Sequence, residues 1–381
     1  MAAAYWPMSA ANYRANLQDR ALALGLPRMS SFSARLISWQ EHAGRRDLPW
    51  QNTRDAYRIW ISEIMLQQTQ VATVMPYYQR FLDVFPDVQS LAAASIDAVL
   101  QLWSGLGYYR RAHLLHRAAQ EVVGRHGGAF PRDAATLATL PGIGRSTAAA
   151  IAAFAYGERG AILDGNVKRV LARHQGVEGH AADPAVLRAL WARAEDLLPR
   201  AGIEPYTQAL MDLGAMVCLR STPDCARCPV AADCVARREN RIDELPLTRP
   251  RQPLPQREIA VLLIERGGEI LLERRPPIGI WAGLWSLPEV ACATDVAAYC
   301  RDRFGAEVAA GEALMPIEHA FTHFRLRLTP LPCSVAHWPT RMEDSGHSAC
   351  VWLPLPDATG AALPAPIKKL LRSLATQQAT V

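Results

Sequence analysis

Apolar residues recur at helical spacing up to about residue 240 and then switch to alternation. From Tyr57 onward the stripe Tyr57, Trp60, Ile61, Ile64 predicts a strong helix. Residues 74–130 continue as helices punctuated by Pro76, Pro86, Gly105, Gly107 and Gly127-Gly128. A further helix is predicted over Thr147 to Tyr156, with Ala148, Ile151, Ala152 and Ala155 on one face. Others are expected over Val167 to His174, Asp183 to Leu198 and Tyr206 to Leu219. Leu245 to Pro255 is rich in proline and arginine and reads as an extended linker. Beyond it, Ile259 to Ile264, Glu269 to Glu273 and Ala320 to Leu328 read as strands. The pattern predicts a mainly α domain followed by an α+β domain.

Composition fits that division. A chain of 381 residues, 50% hydrophobic and 20% charged, is globular and long enough for two cores. A formal charge of +5 permits nucleic-acid binding without demanding it. No apolar run reaches the ~18 residues of a membrane span, and the start Met1-Ala-Ala-Ala-Tyr-Trp-Pro lacks the features of a secretory signal. A soluble, cytoplasmic protein is expected. Residues 1–31 carry no motif; Met29 is a candidate true start, or the first ~28 residues are a dispensable extension.

Several stretches carry candidate chemistry. In Leu140-Pro-Gly-Ile-Gly-Arg-Ser-Thr147, Gly142 and Gly144 precede a helix start, where N–H groups and the dipole favour an anion such as a phosphate. An ordinary helix corner is an equal alternative. Glu63 lies on the flank of the Trp60 stripe; a partly desolvated carboxylate there can hold a proton near neutral pH, whereas a solvated one is only a helix surface residue. Leu106-Gly-Tyr-Tyr-Arg-Arg111 mixes aromatic and arginine side chains suited to base stacking and phosphate contact, although a tyrosine buried at the helix start suits Tyr109 equally. Asp164 or Asn166 can cap the helix that follows. Of eight cysteines, four are grouped as Cys218-x6-Cys225-x2-Cys228-x5-Cys234, which asks for a metal or cluster rather than disulfides. Arg220, Arg227, Arg237 and Arg238 surround them.

The hairpin with its following Asp164, the run Ile61-Ser-Glu-Ile-Met-Leu-Gln-Gln-Thr-Gln70 and the cysteine spacing resemble the helix-hairpin-helix DNA glycosylase superfamily. Across most of its length the chain resembles the MutY family of A/G-specific adenine DNA glycosylases. The resemblance implies a mainly α helix-hairpin-helix glycosylase domain with an iron–sulfur cluster loop, plus a C-terminal α+β nudix-like domain. The expected division is 1–31 extension, 32–240 catalytic domain, 241–257 linker, 258–375 nudix-like 8-oxoguanine recognition domain and 376–381 tail. It implies Glu63 as catalytic acid and Asp164, with Asn166, at the sugar. Gln68 and Tyr108 would fill the duplex behind an everted adenine. Arg46, Trp50, Gln51 and Gln208 would line the base pocket, and Gly142, Gly144 and Ser146 the hairpin contact to DNA. Cys218, Cys225, Cys228 and Cys234 would hold a 4Fe–4S cluster, with zinc the alternative.

In the C-terminal part, Pro277 to Pro288 resembles a nudix core, but the segment after it has only Glu289, Asp295 and Asp302 as acids. A magnesium box needs more, so nucleotide hydrolysis is not expected. Phe321, Thr322 and His323 resemble the family's Phe-Ser-His loop for 8-oxoguanine, threonine replacing serine. The alternative is a plain two-strand turn with Phe321 and Phe324 in the core. The implied partner is double-stranded DNA with adenine opposite 8-oxoguanine or guanine. A cytoplasmic monomer associated with the nucleoid is expected. Two rivals remain. A bifunctional endonuclease III-like enzyme needs a lysine where this chain has Ser146. A non-catalytic lesion-binding protein would not need Glu63.

Overall fold

The computed structural model describes residues 31–247, 253–339 and 349–378. The expectations for Met29 and the N-terminal extension, for the middle of the linker and for the last three residues lie outside these. In chain order the helices are α1 (Phe32–Ala43), α2 (Ala56–Leu66), α3 (Val71–Val84), α4 (Val88–Ala93), α5 (Ile96–Trp103), α6 (Arg110–His126), α7 (Ala134–Leu137), α8 (Arg145–Tyr156), α9 (Gly165–Gln175), α10 (Pro184–Asp196), α11 (Ile203–Asp212) and α12 (Val235–Arg238). Then come β1 (Gln256–Arg266), β2 (Glu269–Arg274), β3 (Trp285–Ser286), β4 (Glu289–Val290), α13 (Val296–Phe304), β5 (Glu307–Ala310), β6 (Ile317–Ala320), β7 (Arg325–His337), β8 (Cys350–Pro354), α14 (Leu355–Gly360) and α15 (Ala365–Gln378). No helix among the described residues is long and apolar enough to cross a membrane.

Packing divides the chain into two compact units, and the division runs through the helical region. Among the described residues, one unit takes 31–46 and 157–247; the other takes Asp47–Tyr156 and the residues from 253 onward.

In the first unit, α1 packs on α11, and α9 packs on α10 and α12. Leu36, Leu171, Leu190, Ala209 and Leu213 are fully buried there. The helix expected over Tyr206 to Leu219 ends as an α-helix at Asp212 and finishes as a π-turn over Leu213–Val217.

In the second unit, α2 packs on α3 and α8, and α6 on α4 and α5. Asp55 caps α2 by accepting from Tyr57 N at 2.9 Å, and the predicted stripe Tyr57, Trp60, Ile61, Ile64 is buried, with Trp60 at 0% exposure. The same unit contains a mixed sheet in the order β3-β2-β1-β7-β5, with β4 on β1, β6 on β7 and β8 on β2. Strands β1 and β7 are parallel neighbours. Strand β1 is apolar without alternation because both its faces are covered. Val261 and Leu263 face a core shared with α14, α15 and the helices α2–α8, whereas Ala260, Leu262 and Ile264 face a second core under α13. The strand expected over Ala320 to Leu328 is two strands, β6 and β7, joined by a turn in which Phe321 N donates to Phe324 O at 2.9 Å. Alternation carries on across such a tight hairpin, so periodicity alone did not reveal the break.

Candidate active site

In the second unit Glu63 stands half-buried between buried Ser62 and Ile64, close to the C-terminal end of α2. That helix end has no glycine cap. Its carbonyls are met instead by Arg111, whose Nη1 donates to Ile64 O at 2.8 Å, Met65 O at 2.8 Å and Gln67 O at 2.6 Å. Its Nη2 donates to Thr69 Oγ1 at 3.1 Å and Gly107 O at 3.2 Å. Burial pushes Arg111 down to about 10, so it stays charged at neutral pH. Among cationic side chains, only arginine's forked guanidinium can serve two loops this way. One loop carries Gln68 at φ 58°, the other Tyr108 at φ 50°. Both side chains are exposed, Tyr108 by 43%. Non-glycine residues at such angles cost about 1–2 kcal/mol each. The arginine expected at a phosphate is therefore an internal clasp. Its signal was present in sequence, since Arg111 stands in register with the buried positions Leu115, Ala118 and Val122 of α6. Tyr109 is buried, with its hydroxyl accepting from Gly105 N at 3.1 Å.

The hairpin between α7 and α8 has the expected form. Ile143 is buried as an anchor, and Gly142 and Gly144 are exposed on either side of it. Gly142 has φ +78°, and a Cβ there would stand 2.9 Å from Leu114 Cβ, so only glycine fits. Ser146 is half-buried at the start of α8, which begins two residues earlier than predicted. Gln67 Nε2 reaches Thr147 Oγ1 at 3.5 Å, tying the end of α2 to this helix. Trp50 is 9% exposed and edge-on to Tyr78, and Gln51 Oε1 accepts from Leu48 N at 3.1 Å, closing the turn in which it sits.

In the same unit the β6–β7 turn exposes Thr322 and His323 and half-buries Phe321. Phe321 stacks on Phe324 at 4.5 Å and lies 5.3 Å from the ring of Trp281. Of the three acids after the nudix-like core, Glu289 is paired with Arg275 and Asp295 caps α13 through Ala298 N at 3.1 Å. No group of three potential ligands that could hold a metal ion occurs among the described residues.

The other candidates belong to the first unit. Asp164, not Asn166, is the cap of α9: its Oδ1 accepts from Val167 N at 2.7 Å. The carboxylate there is half-buried and faces the positive end of the helix. Asn166 Oδ1 accepts instead from Arg169 Nη2 at 3.0 Å. Arg169 also donates to Gly214 O at 2.6 Å and Cys218 O at 2.8 Å, and burial lowers its pKa from the ordinary value. One turn on, Arg173 donates to Leu219 O at 2.6 Å and Arg220 O at 2.8 Å. These two arginines fasten α9 to the start of the cysteine loop, a role that spacing alone did not reveal. Arg46 Nη2 donates to Gln40 O at 3.3 Å. Gln208 Nε2 donates at 3.0 Å to Asp212, a wholly buried carboxylate held also by Arg45.

Cys218, Cys225, Cys228 and Cys234 line one pocket with Val170, Leu213 and Val217. Desolvation pushes the Cys228 thiol up to about 12 and raises Cys225 and Cys234 too. Between the last two cysteines, Asp233 would be raised by burial, but hydrogen bonds from His174 and Arg35 hold it well below the usual carboxylate range. The four thiols thus line a single space within the first unit.

Residues 61–196 match the HhH-GPD superfamily of base excision DNA repair proteins, and residues 259–373 match the NUDIX domain family. The chain is 33% identical to the adenine DNA glycosylase of Buchnera aphidicola subsp. Acyrthosiphon pisum over 342 residues, covering 90% of this chain and 97% of that one. It is 36% identical to the adenine DNA glycosylase of Homo sapiens over 69% of this chain and 58% of that one. It is 43% identical to that of Mycolicibacterium smegmatis over 53% of this chain and 69% of that one.

Proposed function

The chain belongs to the adenine DNA glycosylase family, and from that premise we propose that it removes adenine paired with 8-oxoguanine or guanine in duplex DNA. The reaction breaks the bond between the adenine ring and its sugar and adds water, leaving free adenine and an abasic site. Glu63 donates a proton to the adenine ring, so that the base leaves neutral. The sugar is left electron-poor, and the Asp164 carboxylate stabilises that charge. Asn166, held by Arg169, stands beside it. Gln68 and Tyr108 enter the duplex when the adenine is turned out, and stacking on Tyr108 offsets part of the lost base stacking. Arg46, Trp50, Gln51 and Gln208 bound the base pocket. Gly142, Gly144 and Ser146 take a phosphate at the start of α8. The Phe321–His323 turn meets the base opposite the adenine.

The observation that carries this reading is the end of α2. There a half-buried glutamate precedes two strained, exposed residues, Gln68 and Tyr108, and Arg111 holds the carbonyl just before each, Gln67 O and Gly107 O. Strain of that kind persists where the surroundings over-determine it, typically at functional sites.

The four cysteines fit a 4Fe–4S cluster, bound as thiolates. The cluster would hold the Cys218–Cys234 loop folded and present its arginines to phosphates. No step of base removal passes through it. Ser146 cannot form a Schiff base, so the enzyme releases the base without cutting the strand.

The test is single-turnover adenine release from one duplex set with each base in turn opposite adenine. Release opposite 8-oxoguanine and guanine but not thymine is expected, with strands that break only after alkali. Release opposite thymine would overturn the substrate assignment. Lys168, four residues after Asp164, is the amine nearest it in sequence; strand breakage without alkali, lost in Lys168→Ala, would overturn the monofunctional one.

A further inference from the structure

Helix α6 touches the C-terminal domain one turn beyond Tyr108. His113 Nε2 lies 3.1 Å from the carbonyl oxygen of Ala282. A carbonyl only accepts, so Nε2 carries the hydrogen. Beside it Gly283, at φ +73°, leaves just enough room: a Cβ there would stand 3.1 Å from His113 Cε1. The turn that receives this hydrogen bond is itself strained and tightly tied. Trp281 has φ 55°, Gly283 N donates to Pro276 O at 3.1 Å, and Arg275 Nε donates to Ile280 O at 3.1 Å. The Trp281 ring packs against Phe321 at 5.3 Å and His319 at 5.6 Å.

These contacts form one line. It runs from the exposed tip Thr322-His323 through Phe321 and Trp281 to the Ala282 carbonyl and His113. From there it enters the first turn of α6, where His113 N donates to Tyr109 O at 3.2 Å and Arg111 N to Tyr108 O at 2.8 Å. Arg111 then reaches the carbonyls at the end of α2. We propose that His113 is a positioning residue for mispair selection. By holding the Trp281–Gly283 turn, it lets the base seated against the Phe321–His323 tip bias how Tyr108 is set at the wedge. This rests on the reading of that tip as the element facing the base opposite adenine. His113 is half-buried and outside the reaction, so its loss should alter discrimination rather than the chemical step.

The experiment compares single-turnover adenine release opposite 8-oxoguanine and opposite guanine in four proteins besides the unaltered chain. These are His113→Leu, which lacks the donor, His113→Gln, which keeps one, the tip variant Thr322→Ala/His323→Ala, and the tip variant combined with His113→Leu. The tip variant should lower the 8-oxoguanine-to-guanine rate ratio. His113→Leu should lower it by about two- to tenfold, the worth of one hydrogen bond, and His113→Gln should restore it. The combined variant should do no worse than the tip variant alone, because both interrupt one line. A lowered ratio in the tip variant with an unaltered ratio in His113→Leu overturns the coupling and leaves the tip reading standing. An unaltered ratio in the tip variant overturns both. Equal slowing on both substrates in His113→Leu, with a lower melting temperature, assigns His113 to stability alone and overturns the proposal.

Discussion

Gln68 and Tyr108 adopt left-handed backbone angles that cost stability in any chain lacking a reason to keep them. Their side chains are exposed and contribute little to the core. Replacing Gln68 by glycine should therefore stabilise the fold, by roughly 0.5–1 kcal/mol, while lowering adenine release. Thermal unfolding and single-turnover rates on the same sample check this. A variant both less stable and equally active would mean that the side chain is structural. Glu63 and Asp164 were singled out in sequence because each lies in a run matching a family motif, and the structure half-buries both. Arg111 was misread as a surface cation. An arginine next to an aromatic turn looks like a phosphate ligand until the burial of its helix face is taken into account. Asp212 gave no signal, because a single aspartate in a helical stripe does not reveal which distant arginine will meet it.

At the scale of elements, helices bounded by Asp, Pro and Gly were placed within a few residues, since caps and breakers act locally. Two elements show where periodicity falls short, the second of them weighed in sequence only as an alternative to the lesion-recognition loop. The π-turn over Leu213–Val217 keeps enough helical character for the stripe from Tyr206 to look unbroken. The β6–β7 hairpin turns at Phe321–Phe324 without glycine or proline. The packing of α4 on α6 carries a pH dependence. On α6, His116 Nε2 donates to Ala94 O at 2.9 Å, and desolvation lowers its pKa below the ordinary value. The unfolded chain then binds the proton more readily than the folded one. Stability is full above the unfolded histidine value of about 6.5 and falls as pH drops below it. Unfolding in urea between pH 7.5 and 5 should show this decline, and His116→Gln should make the curve flatter. An unchanged slope in the variant would remove His116 from the account.

For the whole molecule, the switch from helical to alternating periodicity located the two kinds of domain. It could not anticipate that Asp47–Tyr156 shares one core with the sheet domain, because which faces meet is decided by contacts far apart in sequence. Glu63 and the Phe321–His323 tip belong to that unit, and Asp164 and the cysteines to the other. The account stands or falls on Glu63 as the proton donor. The decisive measurement is single-turnover adenine release by Glu63→Gln on an adenine:8-oxoguanine duplex, alongside duplex binding by the same sample. Glutamine keeps the shape and loses the acid, so release should drop by about 10²–10⁴-fold with binding retained. Release at the unaltered rate would contradict the assignment.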